Sequence, residues 1–427
     1  MNRINWVFRG CAVILIAFLV SMPVPAAAAE KVLTLWSHWA DHDSKRAFVE
    51  GAARAFEKAT PGVTVKISWY EKKALNAALK TAFMAGQGPD IFYAEPNETE
   101  YVQNNLLYDL SKSLNWNNIE PWAKQGWSYK GGVYGLPLEA WTVELYYNQK
   151  MLADLGVKLP ANKQLSQAAF LSMVKKARAA GITPIALGVG DRDFPGAFLT
   201  HEALLKKLGY DDYDKLLRGK LSWSDKRVKE ALTFVKQLVD AQALPSSFST
   251  LKLGESHFYF HTKPGALMFL MGSFYPSRAF NPPDKGGQPV DFKLGIMNYP
   301  AMDKGTGNEY KTITIGGSYV VNASSKQREV AAQFLNSMAT PAMGNKWLEE
   351  VLVQTGIKAD PSKISGPYAA YFRDLAQISE KSKYYPERPI GVMTGNAKET
   401  FTQVVNNAFP AGLLTVDQVI EKMNAVK

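Results

Sequence analysis

Cysteine is nearly absent. The 427-residue chain has a single one, Cys11, so no disulfide and no multi-thiolate metal site can be built. Stability must come from hydrophobic cores. Other features are missing as well. There is no G-x-S-x-G turn for a serine nucleophile and no G-x-x-x-x-G-K-[ST] loop for nucleotide phosphates. Gly188-x-Gly190 lacks the third glycine of a dinucleotide turn, because Asp193 stands there. No fixed-period repeat, like-charge block or Pro/Gly/Ser tract marks a solenoid, a tail or a linker. Apart from residues 12–20, no apolar run approaches the about 20 residues that span a bilayer.

What is present is ordinary for a folded chain: 46% hydrophobic and 21% charged residues, with length enough for two cores. The first 29 residues stand apart. Arg3 and Arg9 precede the apolar run, and Ala26 to Ala29 offer A-x-A cleavage sites. This is the pattern of a cleavable signal peptide. Cys11 follows Arg9-Gly10, the wrong depth for a lipoprotein cysteine, so the expected product is soluble, exported and not a lipoprotein. The formal charge is +10; loss of Arg3 and Arg9, with no acid in the segment, leaves 10 − 2 = +8. The charges are interspersed, with no basic stripe interleaved with aromatics, so nucleic acid is not an expected partner.

Beyond the leader, a buried strand over 32–36, a helix carrying Phe48, Ala52, Ala55 and Phe56, a strand with Val63, Val65 and Ile67, a helix over 75–85 and a strand over 90–94 follow in order. Asp43 or Ser44 is the expected cap of the first helix and Ser224 of a later one. Strand–helix alternation of this kind builds a parallel sheet with right-handed crossovers. Ligands of such sheets sit at the carboxyl ends of the strands. Those ends carry Ser37, His38, Trp39 and Asp41, then Trp69, Tyr70 and Glu71, then Tyr93, Glu95 and Asn97.

The stretch 132–148, Gly-Val-Tyr-Gly-Leu-Pro-Leu-Glu-Ala-Trp-Thr-Val-Glu-Leu-Tyr-Tyr-Asn, places two carboxylates and a Trp in a run of strand formers. Period 2 puts Glu139, Trp141 and Val143 on one face and Ala140, Thr142 and Glu144 on the other. A core strand does not hold two acids; a strand passing between two lobes, with one side on a cleft, can. This stretch resembles the lobe-to-lobe segment of the family 1 extracellular solute-binding proteins of bacterial ABC importers, the maltose-binding-protein-like group. Similar motifs follow the same order elsewhere: L-x-x-W at the start, F-E-K-x-x-P-G-V-x-V over 56–65, G-x-G-P-D-I-F over 86–92, the span 324–341, and the closing Leu414-Thr415-x-Asp417.

The resemblance implies an α/β two-lobe periplasmic-binding-protein fold (type II), each lobe a mixed, mostly parallel sheet flanked by helices, with the ligand cleft between lobes. It divides the chain into a signal peptide (1–29), a first lobe from 30–141 and 294–358, and a second from 142–293 and 359–427. The strand expected near 292–300 would then return the chain to the first lobe, and residues 351–357 would cross again. It implies a sugar or oligosaccharide ligand, delivery to the membrane subunits of an ABC permease, a monomer in the periplasm, no cofactor and no metal. The expected ligand-binding residues are His38, Trp39, Glu71, Tyr93, Glu95, Glu139, Trp141, Phe274 and Tyr319. Phe274 stands where the family often has a Trp. Trp347 is expected in the core.

Other readings stay open. A polyol or sugar phosphate would need convergent cations, for which Arg192 and Arg278 are the candidates. A secreted carbohydrate-active enzyme would need two facing carboxylates, but Glu139 and Glu144 point to opposite faces; Glu144 is equally a structural partner for a Lys or Arg. His38-x-x-x-His42 and His257-x-x-x-His261 have metal-like spacing without the H-E-x-x-H glutamate, and read as surface or packing residues. Tyr384-Tyr385 resembles the paired tyrosines of ferric-ion binding proteins, without a matching His/Glu set.

Overall fold

The computed structural model describes residues 30–191, 194–262, 265–365, 368–386 and 389–426. The expected signal peptide with Cys11, and Arg192, lie outside the described residues. Among the described residues thirteen strands run in chain order: β1 (Lys31–Ser37), β2 (Val63–Trp69), β3 (Ile91–Ala94), β4 (Ser128–Tyr129), β5 (Gly132–Val133), β6 (Gly135–Pro137), β7 (Ala140–Asn148), β8 (Thr183–Ala186), β9 (Ala266–Gly272), β10 (Leu294–Met297), β11 (Tyr310–Ile315), β12 (Ser318–Val321) and β13 (Lys383–Tyr385). β4 and β5 form a small hairpin; the rest build two sheets.

The first sheet has the order β2-β1-β3-β12-β6. β1 is parallel to β2 and β3, and the crossovers are the helices Asp43–Ala59 and Lys72–Met84. β12 enters antiparallel beside β3, and β6 antiparallel beside β12. The second sheet has the order β13-β11-β7-β9-β8, with β10 also paired to β7. β8 and β9 are parallel, as are β11 and β13; β7 is antiparallel to β9, β10 and β11. Each sheet has its own hydrophobic core. The architecture is the mixed α/β, two-sheet, helix-flanked one expected.

The path between the sheets differs from the sequence reading in two places: Ala140 and Trp141, expected in the first lobe, already lie on β7 of the second sheet, and the return to the first sheet comes later than expected. β10 does not return the chain to the first sheet: Leu294 to Met297 hydrogen-bond along Asn148 to Leu145 of β7. β11 also stays in the second sheet, with Ile315 against Ala140, and the return is made at Gly316-Gly317. An apolar strand fits either sheet, and only its register partner decides. Capping also differs. His42 holds the N-cap position of the first helix, with Asp43 in the first turn, and Asp225, not Ser224, caps the helix Lys226–Asp240.

Three segments pass between the sheets among the described residues: 138–139, 316–317 and 352–358. They are bonded to one another. Glu139 N–H donates to Gly317 O at 2.7 Å and Gly316 N–H to Glu139 O at 2.9 Å. Ala140 N–H donates to Gln354 O at 2.8 Å and Gly356 N–H to Pro137 O at 3.0 Å. A joint with its polar backbone satisfied this way can bend without exposing unpaired groups.

Candidate ligand-binding site

The carboxyl ends of the first-sheet strands are drawn together by main-chain bonds. Tyr70 N–H donates to Ser37 O at 2.9 Å and Ala40 N–H to Tyr70 O at 3.4 Å, so the loops after β1 and β2 run side by side. His38 then packs on Tyr93, with ring centroids 3.9 Å apart. Tyr93 Oη donates to Glu95 Oε1 at 2.6 Å, and Lys72 Nζ reaches the same oxygen. Glu98 Oε2 accepts the Glu95 N–H at 2.8 Å.

The electrostatics of this wall follow from burial. Desolvation, helped by the charges of Lys72, Lys45 and His42, pulls His38 down to about 2, so its ring is neutral. Its Nδ1 is buried and without a hydrogen-bond partner. Burial pushes Glu98 up to about 7, with the Glu95 charge adding to the rise while the Glu95 N–H and Lys72 oppose it. The buried phenol of Tyr93 is raised by desolvation first and by Glu95 next. Lys72 and Glu95 neutralise each other. The wall is thus rich in hydrogen-bonding groups, and its Lys72 and Glu95 charges are paired.

Trp39 and Tyr319 lie behind this wall rather than on it. Both are fully buried. Tyr319 faces Tyr93 across the β12–β3 ladder, and its Oη donates to Ser37 Oγ at 3.0 Å. Trp39 is hemmed in by Tyr93, Tyr319 and Trp347, at centroid distances of 6.0, 5.5 and 5.7 Å, with Lys45 Nζ over the ring at 5.2 Å. Gly317 allows this approach: a Cβ there would lie 2.3 Å from Trp39 Cζ2. Trp39 and Tyr319, expected among the ligand-binding residues, are both closed off by neighbouring rings. Trp347 is core, as expected. Glu71 stands at the N-cap of the helix Lys72–Met84, exposed and without a side-chain cap bond.

The second wall begins at Trp141 on β7. Its ring meets Phe274 edge-on at 5.6 Å and Phe198 at 6.1 Å, with Phe194 at 6.4 Å. Phe274 follows β9 by two residues and is half-buried, touching both cores. Gly272 makes room for it: a Cβ there would lie 2.3 Å from Phe274 Cε1 and 3.0 Å from Trp141 Cε3. Arg278 is exposed on this side, and its charge acts on both His42 and His257.

Glu139 joins the two walls. It is the last residue before β7, and its Oε2 lies 2.6 Å from Lys45 Nζ. Lys45 was not among the expected residues, yet a signal was present. Lys45, Phe48, Val49, Ala52 and Phe56 share the buried face of one helix, and a lysine on an apolar stripe needs a buried partner. Lys72, Glu98, Phe194 and Phe198 carried no comparable signal.

The two acids of the crossing strand serve different lysines. Glu144 is fully buried in an ion pair with Lys311 at 2.9 Å, the structural role held open for it. His257 and His261 are buried among Phe269, Tyr275 and Phe292. Tyr385 Oη donates to Asp214 Oδ1 at 2.9 Å. Among the described residues no group of three or more His, Cys, Asp or Glu side chains is arranged to hold a metal ion.

Two helix-flanked sheets joined by three crossings among the described residues, with rings, carboxylates and hydroxyls gathered near those crossings, have the architecture of a two-lobe solute-binding protein. Residues 51–357 match the family model of the bacterial extracellular solute-binding proteins, and the chain belongs to that family. It is 24% identical over 223 residues to an uncharacterized ABC transporter extracellular-binding protein of Pyrococcus horikoshii, covering 49% of this chain and 48% of that one. It is 34% identical over 99 residues to a maltotriose-binding protein of Pyrococcus abyssi, 21% of each chain. The chain thus spans half or less of those two relatives' lengths. It is 23% identical over 305 residues to a multiple sugar-binding protein of Streptococcus mutans, 69% of this chain and 68% of that one. The fold is that of a chitin oligosaccharide binding protein, with a TM-score of 0.75 at 23% identity over 92% of this chain and 98% of that one.

Proposed function

We propose that the protein captures a sugar or oligosaccharide between its lobes and presents it to the membrane subunits of an ABC permease. The observation that carries this reading is the polar first wall of His38, Tyr93 and the Lys72-paired Glu95 combined with the ring cluster of Trp141 and Phe274. Sugars present C–H faces to rings and hydroxyl edges to carboxylates and imidazoles. The site residues of this reading are His38, Glu71, Tyr93, Glu95, Glu139, Trp141 and Phe274, with Trp39 and Tyr319 holding them from behind. The sugar names of the relatives point the same way. We place the lobe boundaries at the crossings, with 30–139 and 317–358 in the first lobe and 140–316 and 359–426 in the second. Residues 1–29 act in this reading as a cleaved signal peptide that delivers a monomeric, non-lipidated chain to the periplasm, without cofactor or metal.

A phosphate ligand is disfavoured because Lys45 and Lys72, the cations of the first wall, are neutralised by Glu139 and Glu95. Catalysis is disfavoured because Glu139 and Glu144 are engaged by separate lysines. The test is a thermal-shift screen of neutral sugars, polyols and their phosphates, with product analysis after incubation. A ligand that binds only the folded protein raises its melting temperature. Neutral sugars are expected to do so and to be recovered intact. A shift from phosphates alone, or turnover of the sugar, defeats the reading.

A further inference from the structure

A cavity lies on the face of the crossing strand opposite Trp141. Trp141 takes one face of β7; Thr142 and Glu144 take the opposite one, where they meet Gln354 and Lys311. Beyond them is a space of about 370 Å³, bordered by Glu120, Trp122, Gln354, Ser379, Glu380 and Tyr384. Its walls come from both halves of the molecule. Trp122 and Leu348 pack with the first core, whereas Leu375 packs with the second and Tyr384 lies on β13.

The chemistry of these walls is one-sided. Glu120 is half-buried, and its carboxyl is raised by desolvation; Lys358 acts on it but makes no ion pair with it among the described residues. Glu380 adds a second carboxylate at the rim, also without an ion pair among the described residues. Trp122 and Tyr384 have ring centroids 6.2 Å apart at 51°, too tilted to cover one another, so each keeps a face for another group. A partly desolvated carboxylate, Glu120, beside aromatic faces favours a cation, and most strongly a weakly hydrated organic one. The apolar side chains Ile313, Leu348 and Leu375 in the same lining suit the carbon body of such an ion.

We propose that this cavity is a second binding site, separate from the cleft, for a small organic cation of the alkylammonium class, held by Glu120 and the faces of Trp122 and Tyr384. The site stands independently of the sugar reading. Because its walls belong to both lobes, a bound cation senses any change of the angle between them.

The test is calorimetric titration of the whole protein with choline and with its uncharged carbon analogue, 3,3-dimethylbutan-1-ol. Choline is expected to bind at least tenfold more tightly than the analogue. Glu120→Gln is expected to weaken choline at least tenfold while far-UV dichroism and melting temperature stay near those of the parent. Trp122→Leu tests the ring with the same readout. Equal binding of choline and the analogue overturns the proposal, as does no binding of either. Choline binding that is lost in Glu95→Gln and kept in Glu120→Gln puts the cation in the cleft and overturns it equally.

Discussion

Lys45 Nζ lies 2.6 Å from Glu139 Oε2, and both side chains are almost wholly buried. The pair ties the first helix of one lobe to the residue at which the chain leaves for the other. Glu139 also holds the second crossing through its main chain, by bonds to Gly316 and Gly317. One residue therefore links a helix and two crossings.

Removing one partner of this pair strands the other. Lys45→Met is expected to destabilise the protein by about 3–5 kcal/mol, the usual cost of an uncompensated buried charge. Lys45→Met with Glu139→Met is expected to recover most of that loss, because two apolar side chains of similar length replace two charges. Denaturant melts of the two single variants and the double variant form the cycle. Simple additivity of the single effects would show that the lysine and the carboxylate do not act as a pair.

Glu98 sets a pH dependence. Its carboxyl is raised to about 7 by burial, against roughly 4.3 in an unfolded chain. The folded state therefore holds a proton that the unfolded state gives up. Its contribution to stability is fully present below about pH 4 and is lost as pH rises through 7. Glu98→Gln keeps the neutral form at every pH. It is expected to match the parent near pH 4 and to exceed it by about 1–3 kcal/mol near pH 8. Melting curves at the two pH values check this; an equal offset at both would mean that Glu98 does not titrate in the window.

Most of the fold was legible because its signals are local. Val63, Val65 and Ile67 alternate, the helix from Asp43 carries an apolar stripe, and the glycines at 86 and 88 turn the chain into β3. The placement of β10 was not legible: Leu294 to Met297 could pair with either sheet, and register is a long-range property. The site was legible in part for the same reason. Strand ends could be located, so His38, Tyr93, Glu95, Trp141 and Phe274 could be named as candidates. Which rings face outward depends on packing across strands that are distant in sequence. Tyr319 meets Tyr93 across the ladder, and Trp39 is closed in by both and by Trp347.

Phe274 is half-buried, whereas Tyr93 and Trp141 of the proposed site are buried. If it covers a sugar face, Phe274→Ala is expected to weaken sugar binding by roughly tenfold to a hundredfold, the loss of about 1.5–3 kcal/mol of apolar burial. The half-buried position should hold the melting temperature of the free protein within a few degrees. Phe274→Trp is expected to retain binding, since a larger ring keeps the face and adds an N–H donor. Titrations with the sugar that scores highest in the thermal screen check both. Unchanged affinity in Phe274→Ala would remove this ring from the site.

Gln354 governs the joint itself. Its Oε1 accepts from Ser273 Oγ at 2.7 Å, from Thr142 Oγ1 at 3.0 Å and from Thr142 N–H at 3.1 Å. Thr142 Oγ1 also lies 2.6 Å from Glu144 Oε1, and its single proton can serve only one of the two acceptors. Glu144 already has Lys311, so the amide oxygen is the acceptor that depends most on Thr142 and Ser273. Gln354→Leu preserves the length of the side chain and removes that oxygen. Donors on β7 and just past the end of β9 then lose their link to the crossing segment, at an expected cost of about 1–3 kcal/mol. The effect should be local: faster amide exchange at Ala140 and Thr142, with protection in the centre of the first sheet unchanged. A looser joint leaves the ligand contacts intact but widens the range of lobe angles, so sugar affinity should fall while the ranking of sugars stays the same. Hydrogen exchange and a panel of sugar titrations on this one variant distinguish the outcomes. A changed ranking would move Gln354 from the joint to the ligand, and unchanged exchange at Ala140 and Thr142 would show that its amide does not restrain the crossing.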